Sequence, residues 1–244
     1  QNVITVTAST RAAFQGLFSY PEIRSLEVIP PVYLVEPDDA KESFEERGLR
    51  SAEDNLTHIH ADDAWALGWR GAGMVVGSID TGARYTHEIL FDHYRGNQMG
   101  GLVHDYNWWD AVNDRQIPYD DHNHGTHTIG TMVGDDGAAN QTGVAPEASW
   151  VACKALNSAG SGGGQQLIEC GQFMLAPTRL DGTHPDPALR PHVINNSWGD
   201  CDRVYDDWYE DTIDAWLAAG IYPVFANGNA SNCGYTQPPG LNTV

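Results

Sequence analysis

Basic side chains are scarce in this sequence. Lys and Arg total 13 against 33 Asp and Glu, a formal charge of −20 over 244 residues. A surface of that sign repels phosphate backbones and anionic headgroups, which excludes nucleic acid and membrane surfaces as partners and favours solubility and cation binding. Long apolar runs are missing too, so no segment reads as a bilayer-crossing helix. Only four cysteines occur (Cys153, Cys170, Cys201 and Cys233), with no Cys-x-x-Cys spacing, which argues against a zinc knuckle. Their even number suits an oxidising compartment. Internal repeats and low-complexity tracts are absent. Neither an initiator Met nor a charged-then-apolar leader opens the chain, so Gln1 reads as a processed or truncated start.

What is present describes a globular protein: 41% hydrophobic residues, with eight Trp, ten Tyr and six Phe. Residues 2–35 read as strand–helix–strand. "VITVTAS" alternates β-branched residues, "TRAAFQGLFSYP" has a helix start and a Pro stop, and "EIRSLEVIPPVYLV" is strand-like until its prolines. A piece this small cannot hold its own core and must pack on something else. Residues 36–55 are charged and nearly free of large apolar side chains, as a linker or exposed connection would be.

From about residue 56, helical and strand patterns alternate. "HIHADDAWALGW" predicts a helix and "GMVVGSID" a short buried strand. The His-rich run enters a helix that reaches about Val133. "SWVACKAL" is a strand, "GGQQLIECGQFMLAP" a helix and "HVINNS" a strand. "VYDDWYEDTIDAWLAAG" is an amphipathic helix ending at Gly220, and "IYPVFANGN" is a last strand. This order predicts an α/β fold, a doubly wound parallel sheet with helices on both faces. Ligands bind such sheets outside the carboxyl ends of the strands. Asp80, Asn196 with Ser197, and Asn229 all fall there, and His124 opens a helix on the same edge.

The stretch "DDHNHGTHTIGTMVG" (120–134) admits two chemistries. In one, His122, His124 and His127 with Asp120 or Asp121 hold a metal, although His184 and His192 have no supporting context as further ligands. In the other, His124 is a general base. A buried Asp at a strand end would fix its tautomer, and an Asn on a neighbouring strand could donate to an oxyanion, a contribution of roughly 3–4 kcal/mol. On this reading His127, one helical face round, is a packed structural histidine and His122 is exposed. Trp65, Trp69, Trp108, Trp109, Trp208 and Trp216 read as core or groove packing.

In order and spacing, "GSIDTG" (77–82), "HGTHTIGTMVG" (124–134), "VINNSWG" (193–199) and the final "GN" of "VFANGN" (224–229) resemble the subtilisin-like serine proteases. "YDDHNHGTHTIGTMVGDDG", "NQTGVAPEASWVACKAL" and "NNSWGD" look most like the bacillopeptidase F branch. The match covers about residues 56–244. The resemblance implies a secreted serine endopeptidase, with Asp80 and His124 as two triad members and Asn229 as oxyanion donor. Ser197, Trp198 and Gly199 would pair with the backbone of a peptide or protein substrate, opposite Ala226, Asn227 and Gly228 across the S1 pocket. Asn227 stands where the family commonly has a small residue. The Gly-Thr-Ser-Met-Ala run that carries the nucleophile does not occur. The serine is therefore expected from a missing C-terminal segment, in the same precursor or a second chain.

By the same resemblance, residues 1–36 correspond to part of an inhibitor-type propeptide whose tail lies through the substrate cleft. Residues 37–55 would hold the processing region and 56–244 the N-terminal part of the catalytic domain. Catalysis would need no cofactor. A structural calcium is expected at Asp135, Asp136 and Asn140, because relatives bind one after the catalytic-His helix. Cys201 and Cys233, just past the strands flanking S1, are expected to bond, whereas Cys153 and Cys170 fit buried thiols or a second bridge equally. Two rival readings stay open: a non-catalytic peptide-binding fragment or pseudoprotease, and a metallohydrolase.

Overall fold

Four short apolar runs and a tryptophan pair line up as one parallel sheet. The computed structural model describes residues 15–17, 20–23, 31–34, 54–138, 141–199 and 208–229. Its strands are β1 (Val32–Leu34), β2 (Val75–Asp80), β3 (Asn97–Gln98), β4 (Gly101–Leu102) and β5 (Trp108–Asp110), then β6 (Ser149–Lys154), β7 (Ser161–Gly162), β8 (Val193–Asn196), β9 (Trp198–Gly199) and β10 (Tyr222–Phe225). The helices are α1 (Asp54–His58), α2 (Ala61–Ala66), α3 (His124–Val133), α4 (Gly164–Leu175) and α5 (Glu210–Ala218).

The main sheet has the order β10-β8-β2-β6-β5, parallel throughout. Its inner strands are covered on both faces, so they lack the polar alternation of a half-exposed strand. In β6, Trp150 through Lys154 are all buried. One face packs Leu167, Cys170, Phe173 and Met174 of α4 and Ile213 and Trp216 of α5 against Ile79, Val151 and Ile194. On the opposite face, Ile129 and Val133 of α3 meet Trp108, Trp150, Leu90 and Tyr94. The α/β architecture, doubly wound with helices on both faces, is the one the periodicity predicts.

Local departures have identifiable causes. The helix expected over 58–69 runs only over Ala61–Ala66 and is preceded by α1 at Asp54–His58, because His60 adopts a left-handed φ of 61° between them. Residues 24–30 of the second expected strand lie outside the described residues; β1 begins directly after Pro31, where the missing N–H is harmless. β5 escapes the sequence pattern because three residues are too few to show a period. Trp108 and Trp216 are fully buried as expected, but Trp69 is 73% exposed. Most of the expected propeptide piece and linker, and the Cys201–Cys233 pair, lie outside the described residues.

Cys153 and Cys170, 17 positions apart in sequence, form a disulfide between β6 and α4 with Cα atoms 5.6 Å apart. It pins the helix to the strand that ends at Lys154. Closing a loop of this size restricts the unfolded chain by about 3 kcal/mol. Replacing both cysteines by alanine is therefore expected to destabilise the protein by about that amount. Urea unfolding checks this: the midpoint should fall, and an unchanged midpoint would count against a native bridge.

Candidate active site

The five parallel strands end in Asp80, Asp110, Lys154, Asn196 and Phe225, and their carboxyl ends form one edge. Asp80 closes β2 and is 1% exposed. His124 opens α3, where Asn123 at φ 79° turns the loop sharply into the helix. The His124 Nδ1–H donates to Asp80 Oδ1 at 2.8 Å, with Oδ2 at 3.0 Å. An ionised carboxylate only accepts, so the ring proton sits on Nδ1 and the lone pair on Nε2. That is the tautomer a general base needs.

The carboxylate is itself held. Thr81 N–H donates to Asp80 Oδ1 at 2.7 Å, and the Thr128 hydroxyl, one helical turn past His124, donates to Oδ2 at 3.2 Å. The Thr81 hydroxyl accepts Gly125 N–H at 2.9 Å and donates to Asp120 Oδ1 at 2.9 Å. The helix start and the strand end thus share a residue at each side.

Two glycines let these segments meet. A Cβ on Gly125 would sit 2.1 Å from the Gly82 carbonyl oxygen and 3.1 Å from Asp80 Cβ. Gly82 has φ 117°, and a Cβ there would lie 2.1 Å from the Tyr119 carbonyl oxygen. Asp120 then organises the loop before α3. It accepts the backbone N–H groups of His122, Asn123 and Thr126 and the Thr126 hydroxyl as well as that of Thr81. Burial pushes its carboxyl upward, but the hydrogen bonds from Thr126, His122 and Asn123 outweigh this and hold it below the usual carboxylate range.

The profile of the subtilase family matches residues 71–243 of this chain. The chain belongs to the subtilase family. It is 45% identical over 179 residues to Bacillopeptidase F of Bacillus subtilis strain 168, covering 72% of this chain and 12% of that protein. It is 32% identical over 190 residues to the Minor extracellular protease Vpr of the same strain, covering 75% and 21%. Against Subtilisin DY of Bacillus licheniformis the identity is 32% over 176 residues, covering 72% and 54%. The chain therefore spans between 12% and 54% of the length of these relatives.

In this subtilase a second, three-stranded sheet has the order β7-β1-β9. β1 lies antiparallel between β7 and β9, with Val32 opposite Gly162, Tyr33 opposite Ser161 and Gly199, and Leu34 opposite Trp198. Leu34 N–H also donates to the Gly160 carbonyl at 2.9 Å. The Val32 side chain is buried in the cluster that includes Trp198 and Leu167. Ser197 accepts a hydrogen bond from Asn195 Nδ2 at 3.0 Å. Ala226 N–H donates to the Asn196 carbonyl at 3.0 Å, extending the β8–β10 ladder by one residue. Beyond it, Gly228 turns at φ 91°. Asn227 and Asn229 are exposed at this edge.

The histidines on either side of His124 exchange their expected places. His127 is exposed, because α3 buries Gly125, Ile129, Gly130 and Val133 and position 127 falls opposite that face. His122 is half-buried: a Cβ on Gly160 would meet Leu34 Cδ1 at 2.8 Å and His122 Nε2 at 3.2 Å, so the three crowd together. His122 and His124 stand edge to face with centroids 6.3 Å apart. Among the described residues no three His, Cys, Asp or Glu side chains converge as a metal site would require. Asp135 and Asp136 each accept a backbone N–H of their own turn, from Gly137 and Ala138 at 2.8 Å. Asn140 lies outside the described residues.

Sequence reasoning passed over Thr81, Thr128 and Lys154, and weighed Asp120 only as a metal ligand. Their roles come from contacts across 39 to 73 residues, which no local period reveals. One signal was available. Lys154 is a lone charge closing an otherwise apolar strand, "SWVACK".

Proposed function

We propose that the protein is a secreted serine endopeptidase in which Asp80 orients His124 and His124 acts as general base. The buried contact of 2.8 and 3.0 Å between Asp80 and the His124 Nδ1–H carries this reading. The nucleophile is a serine from a further stretch of the same precursor or from a second chain. His124 Nε2 takes the hydroxyl proton as the serine oxygen bonds to the peptide carbonyl carbon. Asn229 and a backbone N–H stabilise the resulting oxyanion. The C–N bond then breaks, the leaving amine takes the proton from His124, and water hydrolyses the acyl-enzyme by the same route in reverse.

A peptide substrate would add a strand beside β9, along Ser197, Trp198 and Gly199, with Ala226, Asn227 and Gly228 facing them across S1. The antiparallel placement of β1 there supports both this binding mode and inhibition by the protein's own N-terminal segment. Secretion is supported by one relative's name, which describes an extracellular protease. No described helix is long and apolar enough to cross a membrane. A peptide-binding pseudoprotease would use the same β1–β9 pairing, but it would leave the buried Asp80–His124 contact without a purpose.

A fluorophosphonate probe tests the proposal on the full-length protein. The expected result is one labelled serine and loss of peptide hydrolysis in proportion to labelling. Hydrolysis that survives full exposure to the probe, yet stops on zinc removal and returns with zinc, would contradict it.

A further inference from the structure

Lys154 is wholly buried, at 0% exposure, on the edge where Asp80 and His124 meet. It is the register partner of Asp80 in the neighbouring strand. Its ammonium has three hydrogens to donate, and the structure supplies three acceptors. These are the Thr81 carbonyl at 2.5 Å, Asp121 Oδ1 at 2.6 Å and the Leu156 carbonyl at 2.9 Å. The Tyr119 ring closes the remaining side, with its centroid 4.9 Å from Nζ. A lysine buried merely to fill space would not need a carboxylate and two carbonyls aimed at it, since an apolar side chain of that size fills space without the cost of desolvating a charge.

The acceptors identify its role. Thr81 follows Asp80 directly, and its N–H holds the Asp80 carboxylate. Asp121 lies three residues before His124, beside Asp120, which gathers the turn leading into α3. Leu156 belongs to the segment after β6, where the N–H groups of Ala155 and Leu156 both donate to the Asp80 carbonyl. One cation therefore joins the three chain segments that meet around Asp80 and His124.

We propose that Lys154 is a positioning residue, which fixes the Asp80 and His124 loops at the separation that base catalysis requires. It touches neither substrate nor reacting atoms. This inference rests on the general-base reading of His124. Displacement of one loop by about 1 Å is enough to cost 100-fold in rate.

The test uses three variants of the full-length protein: Lys154→Met, Asp121→Asn and His124→Ala. Each is assayed for kcat and KM on a peptide substrate, with concentration corrected to the folded fraction from thermal melting. Lys154→Met is expected to lower kcat about 100-fold with KM changed less than threefold. Asp121→Asn keeps both carbonyl contacts and is expected to lower kcat about tenfold. If Lys154→Met melts earlier but keeps kcat within twofold, Lys154 is only structural and the proposal is overturned. If it does not fold, Asp121→Asn decides: a kcat loss at an unchanged melting temperature supports the proposal, and an unchanged kcat overturns it. His124→Ala separates the two claims, because retained activity there sinks the general-base reading itself, whatever Lys154→Met does.

Discussion

Substituting Asp80 by asparagine is expected to slow peptide hydrolysis by the full-length protein about 10⁴-fold in kcat. The change is nearly isosteric, so the packing around a 1%-exposed side chain survives. What changes is the proton inventory. Asp80 accepts the Thr81 N–H, the Thr128 hydroxyl and the His124 Nδ1–H, and an ionised carboxylate has lone pairs for all three. An asparagine amide has one oxygen for those donors and presents N–H groups in place of the other. Wherever its NH₂ faces the imidazole, Nδ1 must accept, and the ring proton moves to Nε2. The base then has no lone pair to offer the serine. Steady-state kinetics on a chromogenic peptide check this, with thermal melting as a control for folding. A loss below tenfold would show that the carboxylate does not set the tautomer.

Gly125→Ala is expected to damage both stability and rate. The added methyl would lie 2.1 Å from the Gly82 carbonyl oxygen, well inside van der Waals contact. The obstruction is backbone, not the end of a pliable side chain, so α3 and the Asp80–Gly82 turn must separate. Overpacking of this kind costs about 1–3 kcal/mol. The more specific effect falls on His124, the neighbour of Gly125. Moving the imbalance into that turn lengthens the contacts to Asp80, and a shift of about 1 Å corresponds to a loss of roughly 100-fold in kcat. Gly137→Ala makes the control, because a Cβ there meets nothing within 4 Å, though its φ of 71° still carries backbone strain. Kinetics on the folded fraction distinguish the two: Gly137→Ala should keep kcat, and Gly125→Ala should not.

Much of this arrangement was legible from the residues alone. The runs "VVGSID", "SWVACK" and "VINN" form the inner strands, none of whose residues is exposed, and their largely apolar character is what a parallel sheet demands. Asp80 and His124, which the structure brings into contact, were singled out because each falls at the carboxyl edge of the sheet and because the motifs that carry them resemble those of the subtilisin-like proteases. Other features needed the third dimension. Short strands such as β5 and β7 exist only because a neighbour supplies the partner for their backbone groups. The exposure of His127 came from helix phase, since four residues of α3 define its inner face and position 127 falls away from it, whereas His122 precedes the helix and is half-buried beside Leu34 and Gly160. Cys153 and Cys170 could not be told from thiols until the helix and strand bearing them were seen to touch. Lys154 was visible as an anomaly, but its acceptors belong to three segments far apart in sequence.

Coupling between Asp80 and His124 is the central claim, and a double-mutant cycle measures it most directly. The full-length protein, Asp80→Asn, His124→Ala and the combined variant are compared by kcat on one peptide substrate. Asp80 acts through the imidazole, so once His124 is alanine the Asp80 change should cost almost nothing more, and the combined variant should be no slower than His124→Ala. If the two losses multiply as independent sites do, or if His124→Ala hydrolyses peptides at the unaltered rate, the account is wrong.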